Sequence, residues 1–188
     1  LAAREREPPP ASHLFGNESH RRSHGFVPGA TALYPERIGP DMADTEVEEL
    51  TTEPEFVDAY PVMEQLRPIS EAAYLDILDR RRTEGYRLFA LRASGQIRAV
   101  AGLSVQTTFD HGKHVWVHDL VVDEAHRGRG VGSRLLDWVA DWADERECTC
   151  VELASGLWRD RAHDFYEANG MERYCYTFRQ ELAAQSPY

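Results

Sequence analysis

An α/β (α+β) fold, built on a mixed sheet of six to seven strands with about four helices, is predicted for this 188-residue chain by three observations. Short runs of period-two alternation recur along it, separated by segments whose apolar residues fall three and four apart. An apolar strand passes into a helix through a glycine-rich turn, from Val121-Val122-Asp123 to Gly130-Val131-Gly132. That helix carries one continuous apolar face, the pattern of a helix laid on a sheet. The length allows one core and little more.

The elements follow from these periods. A short strand at about 47–51 precedes an acidic turn. A helix then places Val62, Met63 and Leu66 on one face, with Pro61 in its first turn. Ser70-Glu71 caps a second helix, whose Ala73, Leu75, Ile77 and Leu78 stripe ends at Gly85. Residues 86–91 alternate as a strand, Ser94-Gly95 makes a hairpin turn, and 97–108 return as a longer strand. A fourth strand spans about 115–123. The helix at about 130–145 sets Val131, Leu135, Trp138, Val139 and Trp142 on one side, so its tryptophans belong to the core. Residues 148–155 form a fifth strand, 159–169 a helix closed by Gly170 as a left-handed cap, and 171–182 a strand that closes the sheet. The order is β-α-α-β-β-β-α-β-α-β.

Composition excludes several classes. Residues 1–41 carry Pro8-Pro9-Pro10 and no regular apolar period, and read as a disordered extension without function. The domain is expected at 42–188, with Met42 a natural start. Charges in the extension cancel, so the net charge of −11 belongs to the domain, which argues against nucleic acid as a partner. With one lysine, Lys113, the acidic surface fits a high-salt cytoplasm and GC-rich codon usage equally. No apolar run approaches the roughly 20 residues that cross a bilayer, and no signal-peptide core is present, so a cytoplasmic protein without a membrane partner is expected. Cys148, Cys150 and Cys175 form no disulfide framework or metal pair and read as small core or strand residues. His13, His20 and His24 are irregularly spaced and read as solvated.

The glycine turn is an anion cradle. Gly128, Gly130 and Gly132 remove the Cβ atoms that would hold a phosphate away, and successive backbone N–H groups can turn inward. The helix opening at Gly130 adds its unpaired first-turn N–H groups and the positive end of its dipole, and Arg127, Arg129 and Arg134 add charge. A Walker loop is excluded, because it needs a lysine that the turn lacks. The dinucleotide fingerprint is excluded by its different glycine spacing.

Arg127-x-x-Gly130-x-Gly132 resembles the pyrophosphate loop of the GNAT superfamily of acyl-CoA N-acyltransferases. The flanks agree. Residues 115–123, with Asp119-Leu120-x-Val122, are similar to that family's fourth strand and its bulge. Arg159-Asp160-Arg161-Ala162-His163-Asp164-Phe165-Tyr166-Glu167-Ala168-Asn169-Gly170 resembles its last helix. The likeness spans about 46–181. It implies the GNAT fold and acetyl-CoA as cosubstrate, with the diphosphate held by Arg127, Gly128, Arg129, Gly130, Val131, Gly132 and Ser133. It further implies that strand four splays from strand five, so that backbone near Leu120, Val121 and Val122 pairs with the pantetheine arm, the Val122 N–H facing the thioester oxygen. Arg159, Ala162 and Phe165 complete the coenzyme set, although Arg159 stands where many members carry an asparagine.

The same resemblance makes Tyr166 the general acid beside the thioester sulfur; packing against Phe165 is its structural counterpart. Asp119 or His118 is the candidate general base, through a water chain. Adjacent strand residues point to opposite faces, so at most one projects directly into a given cavity. His118 reads equally as a satisfied core histidine, and Asp119 as a structural partner at the bulge. His111, His114, His118 and His126, spaced by three, four and eight, fit no recognised ligand set, and no metal is expected.

The segment from Glu152 to Tyr166, with Arg159-x-x-Ala162-His163-x-Phe165-Tyr166, and the closing Tyr176 to Leu182 are similar to aminoalkylphosphonate N-acetyltransferases and their small relatives. This implies a small-molecule primary amine as acceptor, whose anionic group Arg159 or Arg161 could pair. The pattern leaves room for a homodimer. Two other readings stand beside acetyl transfer to a small amine: a non-catalytic acyl-CoA-binding regulatory domain, and acetylation of a protein or peptide amine.

Overall fold

A computed structural model describes residues 44–182 of the chain. The extension expected at 1–41, its histidines and Met42 lie outside the described residues. The elements are β1 (Thr45–Leu50), α1 (Glu53–Met63), α2 (Glu71–Thr83), β2 (Arg87–Ala93), β3 (Gln96–Thr108), β4 (Gly112–Val122), a 3-10 turn at Glu124–His126, α3 (Val131–Asp144), β5 (Val151–Leu153) and α4 (Asp160–Ala168). The strands lie in sequence order, with β1 to β4 antiparallel and β5 parallel to β4. This is the expected α/β fold on a mixed sheet with four helices. The sheet has five strands among the described residues rather than six or seven.

The missing strand is the one expected at 171–182, which carries no strand assignment. Its alternating Tyr174, Tyr176 and Phe178 are exposed. Alternation gives a segment a pleated apolar face, but a strand also needs an edge to pair with, and β5 is only three residues long. The cysteines shift accordingly. Cys148 and Cys150 precede β5 half-buried, while Cys175 is exposed and belongs to no strand.

The first helix also differs from expectation. The acidic residues read as a turn are its opening: Glu55 accepts hydrogen bonds from the Thr51 and Thr52 N–H groups at 2.7 and 2.8 Å, closing the start of α1. Pro61 therefore stands in the last turn, where it leaves the Val57 carbonyl without its helical donor and the helix ends two residues on, and Leu66 lies beyond the helix. The second helix begins as expected, with Ser70 accepting from the Ala73 N–H.

Two apolar clusters sandwich the sheet. On one face α3 packs Val131, Leu135, Val139 and Trp142 against Phe89, Leu91, Leu103, Val115 and Val117, with Trp138 partly buried beside them. On the other, α1 and α2 bring Phe56, Val62, Met63, Tyr74 and Leu78 to Leu88, Val100 and Val121. No helix among the described residues is long and apolar enough to cross a membrane.

Gly102 controls one crossing of this second face. It pairs with Asp119 where the β3–β4 register shifts, and a Cβ there would stand 1.8 Å from the Tyr86 hydroxyl. The missing side chain lets the buried Tyr86 phenol lie across β3 and donate to Asp119 Oδ2 at 2.9 Å. Gly102→Ala should expel Tyr86 and lower stability by about 1–3 kcal/mol, the usual cost of overpacking. Urea unfolding reads this directly, and an unchanged midpoint would mean that Tyr86 has another place to go.

Candidate active site

Strand β4 has two edges with different fates. Toward β3 it is paired along its whole length, and the ladder continues past its end, with the Asp123 N–H donating to Arg98 O at 2.9 Å. Toward β5 it is paired only at Val115, Trp116 and Val117. Antiparallel pairs alternate between those that exchange hydrogen bonds and those that do not. Because Asp123 bonds to β3, Val121 does too, whereas Leu120 and Val122 turn their N–H groups to the edge that β5 has left. Of the three backbone positions that the resemblance implies, two therefore face the gap. Val121 does not, and its side chain is buried on the α1 and α2 face.

The glycine turn closes this open edge. Asp123 caps the 3-10 turn, its Oδ1 accepting from the Ala125 N–H at 2.9 Å. Burial alone would raise the Asp123 carboxyl, but hydrogen bonds from His126, Gln65 and the Ala125 N–H more than offset it and hold it below the usual carboxylate range. Gly128 and Gly130 then adopt φ of 74° and 81°, the left-handed region that side chains avoid, and Gly130 is the N-cap of α3. The turn thus presents the first N–H groups of a 14-residue helix at the mouth of the gap.

Gly132 does different work. A Cβ there would lie 3.2 Å from both Phe165 and Val122, so the absent side chain lets α3, α4 and the end of β4 meet. Phe165 in turn packs edge-on against Tyr166, with ring centroids 5.3 Å apart. Burial pushes the Tyr166 phenol up, with the Arg159 charge opposing, so it stays a neutral phenol near pH 7.

The arginines divide. Arg127 donates to Val122 O at 3.0 Å and to Gln65 Oε1 at 3.1 Å, buttressing the turn against the end of α1. Arg134 reaches Thr45 O at 3.3 Å, on β1. Arg129 and Ser133 stand on the turn and the first turn of α3, and Arg159 is the exposed N-cap of α4, with Ala162 half-buried one turn on. Arg161 is exposed on the same helix.

On the face of α2, a small cavity is lined by Arg81, Glu84, Tyr86, Ser104, Gln106 and His118. His118 sits at the irregularity of β4, with Nε2 2.8 Å from Ser104 Oγ, and Ser104 also accepts from Gln106 at 3.1 Å. Burial holds the His118 imidazole below the ordinary value; Arg81 and Arg67 add to this and Asp119 opposes it. Asp119 does not line the cavity, yet across the bulge, where the strict alternation of faces is broken, it too meets Tyr86. Its Oδ1 takes Arg67 Nε at 2.8 Å and its Oδ2 the Tyr86 hydroxyl, while Arg67 Nη2 donates to His118 O at 3.2 Å. Both carboxylate oxygens are thus occupied in tying the segment after α1 to the bulge.

The four histidines around β4 do not converge. His126 pairs with Asp123 and Arg98, His118 lines the cavity, and His111 and His114 lie at the far end of the strand. Sequence reasoning missed Arg67, Tyr86, Gly102, Ser104 and Gln65. The only local signal was a glycine inside an otherwise bulky strand, which marks a close approach or a bulge.

The family comparison follows this geometry. Residues 46–171 match the sequence profile of the Acetyltransferase (GNAT) family. The chain is 36% identical over 139 residues to the uncharacterised N-acetyltransferase YhdJ of Bacillus subtilis (strain 168), covering 72% of this chain and 98% of the relative. It is 32% identical over 98 residues to the aminoalkylphosphonate N-acetyltransferase of Salmonella typhimurium, covering 52% of this chain and 62% of that one. Among solved structures, the aminoglycoside N-acetyltransferase AAC(6')-Iy in complex with CoA shares the fold at a TM-score of 0.67 and 16% identity, over 78% of this chain and all of the other. With its strand and helix order, open β4 edge and glycine turn, the chain belongs to the GNAT family of acetyltransferases.

Proposed function

We propose that the protein moves the acetyl group of acetyl-CoA to the primary amine of a small molecule, by direct transfer in a ternary complex. The observation that carries this is the juxtaposition of the open β4 edge, ending in the glycine turn, with the His118 cavity at the irregular point of the same strand. On this reading the first-turn N–H groups of α3 hold the diphosphate, and the edge at Leu120 and Val122 pairs with the pantetheine arm.

Each step then has a group. His118, neutral near pH 7, accepts a proton from the acceptor ammonium, directly or through a water, and shares it with Ser104. The freed amine nitrogen attacks the thioester carbonyl carbon, and the Val122 N–H stabilises the oxyanion. The C–S bond breaks as Tyr166 donates its proton to the departing thiolate; the acylated nitrogen then gives up its second proton, which returns through water to the Tyr166 oxygen, leaving a neutral amide and free CoA thiol. Asp119 serves as a positioning residue, holding the His118 segment through Arg67 and Tyr86.

The cavity also bears on the acceptor. It places a carboxylate, Glu84, and a guanidinium, Arg81, beside His118, the two 4.0 Å apart. A small amine that also carries an anionic group would meet both. Arg81 thereby takes the role for which the sequence alone offered Arg159 or Arg161.

Release of free CoA thiol across a panel of amines tests the reading. Turnover should favour small primary amines, most of all those with an anionic group. Binding of acetyl-CoA with no turnover on any amine would make this a binding domain, and much faster acetylation of a peptide N-terminus would overturn the acceptor. With the best amine, Tyr166→Phe should lower kcat by about 10²–10⁴ while leaving acetyl-CoA affinity nearly unchanged. The pH profile of kcat/KM should show an acid limb below the ordinary histidine value of 6.5, rising with pH as His118 loses its proton. That limb should vanish in His118→Gln; its persistence would place the base elsewhere.

A further inference from the structure

Away from the glycine turn, at the end of the sheet where β4 begins, side chains from two separate segments converge. His111 stands in the turn between β3 and β4, Cys150 immediately precedes β5 and Glu152 lies within it, two positions on along extended chain, so Cys150 and Glu152 share a face. A ring nitrogen of His111, the Cys150 sulfur and a Glu152 carboxylate oxygen all lie within 4.8 Å of one another. His111 Nε2 is 3.5 Å from Glu152 Oε1, and His114 Nε2 is 3.4 Å from Oε2. The carboxylate is therefore bracketed by two imidazoles, whose ring centroids are 5.8 Å apart.

The orientation of His114 is informative. Its side chain is only 2% exposed, and its Nδ1 lies 3.1 Å from Gly112 O. A carbonyl can only accept, so Nδ1 carries a proton, and Nε2 is turned to the Glu152 carboxylate, whose place beside His111 and Cys150 it thereby fixes.

The distances suit a metal ion. Zinc holds nitrogen at about 2.0–2.1 Å and carboxylate oxygen at about 2.0–2.2 Å, which at a tetrahedral angle sets the ligand atoms about 3.3–3.5 Å apart. The His111 to Glu152 separation of 3.5 Å matches that edge. A donor set of one imidazole, one thiolate and one carboxylate favours zinc over magnesium or calcium, which take oxygen ligands. The frame is prepared as well: the Thr149 hydroxyl donates to His111 O and Lys113 O, and the Thr149 N–H to Lys113 O at 2.7 Å.

We propose that His111, Cys150 and Glu152 form a zinc site, completed by a water and with His114 positioning the Glu152 carboxylate, that rivets the β3–β4 turn to β5. One proton leaves on binding, that of the Cys150 thiol, while the neutral His111 ring gives one nitrogen to the ion and keeps its proton on the other. The role is structural. The ion would secure the short β4–β5 pairing immediately before the two strands separate, and it would order the turn against which Tyr174 packs, 5.3 Å from the His111 ring.

The test uses the full chain, stripped with a chelator and titrated with Co²⁺ as a spectroscopic probe, then with Zn²⁺. One equivalent of Co²⁺ should bind, with the intense visible bands of four-coordinate cobalt and a thiolate charge-transfer band in the near ultraviolet. One equivalent of Zn²⁺ should erase both. Cys150→Ser should abolish the charge-transfer band, and Glu152→Gln should weaken Zn²⁺ binding at least tenfold, in proteins whose metal-free circular dichroism matches the parent. Should Cys150→Ser not fold, the Glu152→Gln comparison decides. Weak octahedral spectra, no stoichiometric binding, or binding unaltered in the variants would overturn the site.

Discussion

Beyond Val117, strand β4 must stay in the sheet through one edge while giving up its neighbour on the other. The acetyl transfer we propose depends on that division. Main-chain N–H groups are strong donors that do not remain buried without a partner, and a second strand would have consumed them. Because β5 ends at Leu153, the N–H groups of Leu120 and Val122 face a gap that can take an extended ligand in place of a strand. The β3 ladder, continued by Asp123 to Arg98, keeps the opened strand from curling away.

Packing on the two faces holds the gap in shape. On the α3 side, Gly132 lets Val122 and Phe165 meet, so the end of β4, the start of α3 and the middle of α4 are fixed against one another. Tyr166 is positioned by the same contact. On the opposite side, Gly102 lets Tyr86 reach Asp119, and Arg67 closes on the other oxygen. That pair of bonds fixes the irregular point of β4 at which His118 turns toward its cavity. Two glycines in different elements thus set the positions of the two groups to which we assign proton transfer.

Local signals made most of this readable in the sequence. The Ser70 cap, the Ser94-Gly95 turn, the apolar face of α3 and the glycine cap at Gly170 each depend on residues a few positions apart, and each lies where the sequence put it. The glycine turn was legible for the same reason. Long-range relations were not. Tyr86 and Asp119 are 33 residues apart, and Arg67 and Asp119 are 52 apart, so no spacing rule brings them together. The acidic start of α1 was misread because Glu53 and Glu55 suit a turn as well as a first helical turn, and only the reach of Glu55 back to Thr51 and Thr52 distinguishes them. The last strand failed differently, since Tyr174, Tyr176 and Phe178 have the alternation but no edge to join. The spacing of His111 and His114 suggested no ligand set because the Cys150 and Glu152 with which we group His111 lie beyond α3 in the chain.

The central claim is that the β4 edge itself binds the cosubstrate, and residue-resolved amide hydrogen exchange with and without saturating acetyl-CoA tests it most directly. The account predicts that the Leu120 and Val122 amides become strongly protected on binding, while the Val121 amide, already bonded to β3, changes little. Saturation with acetyl-CoA that left the exchange of Leu120 and Val122 as it was in the free protein would contradict it.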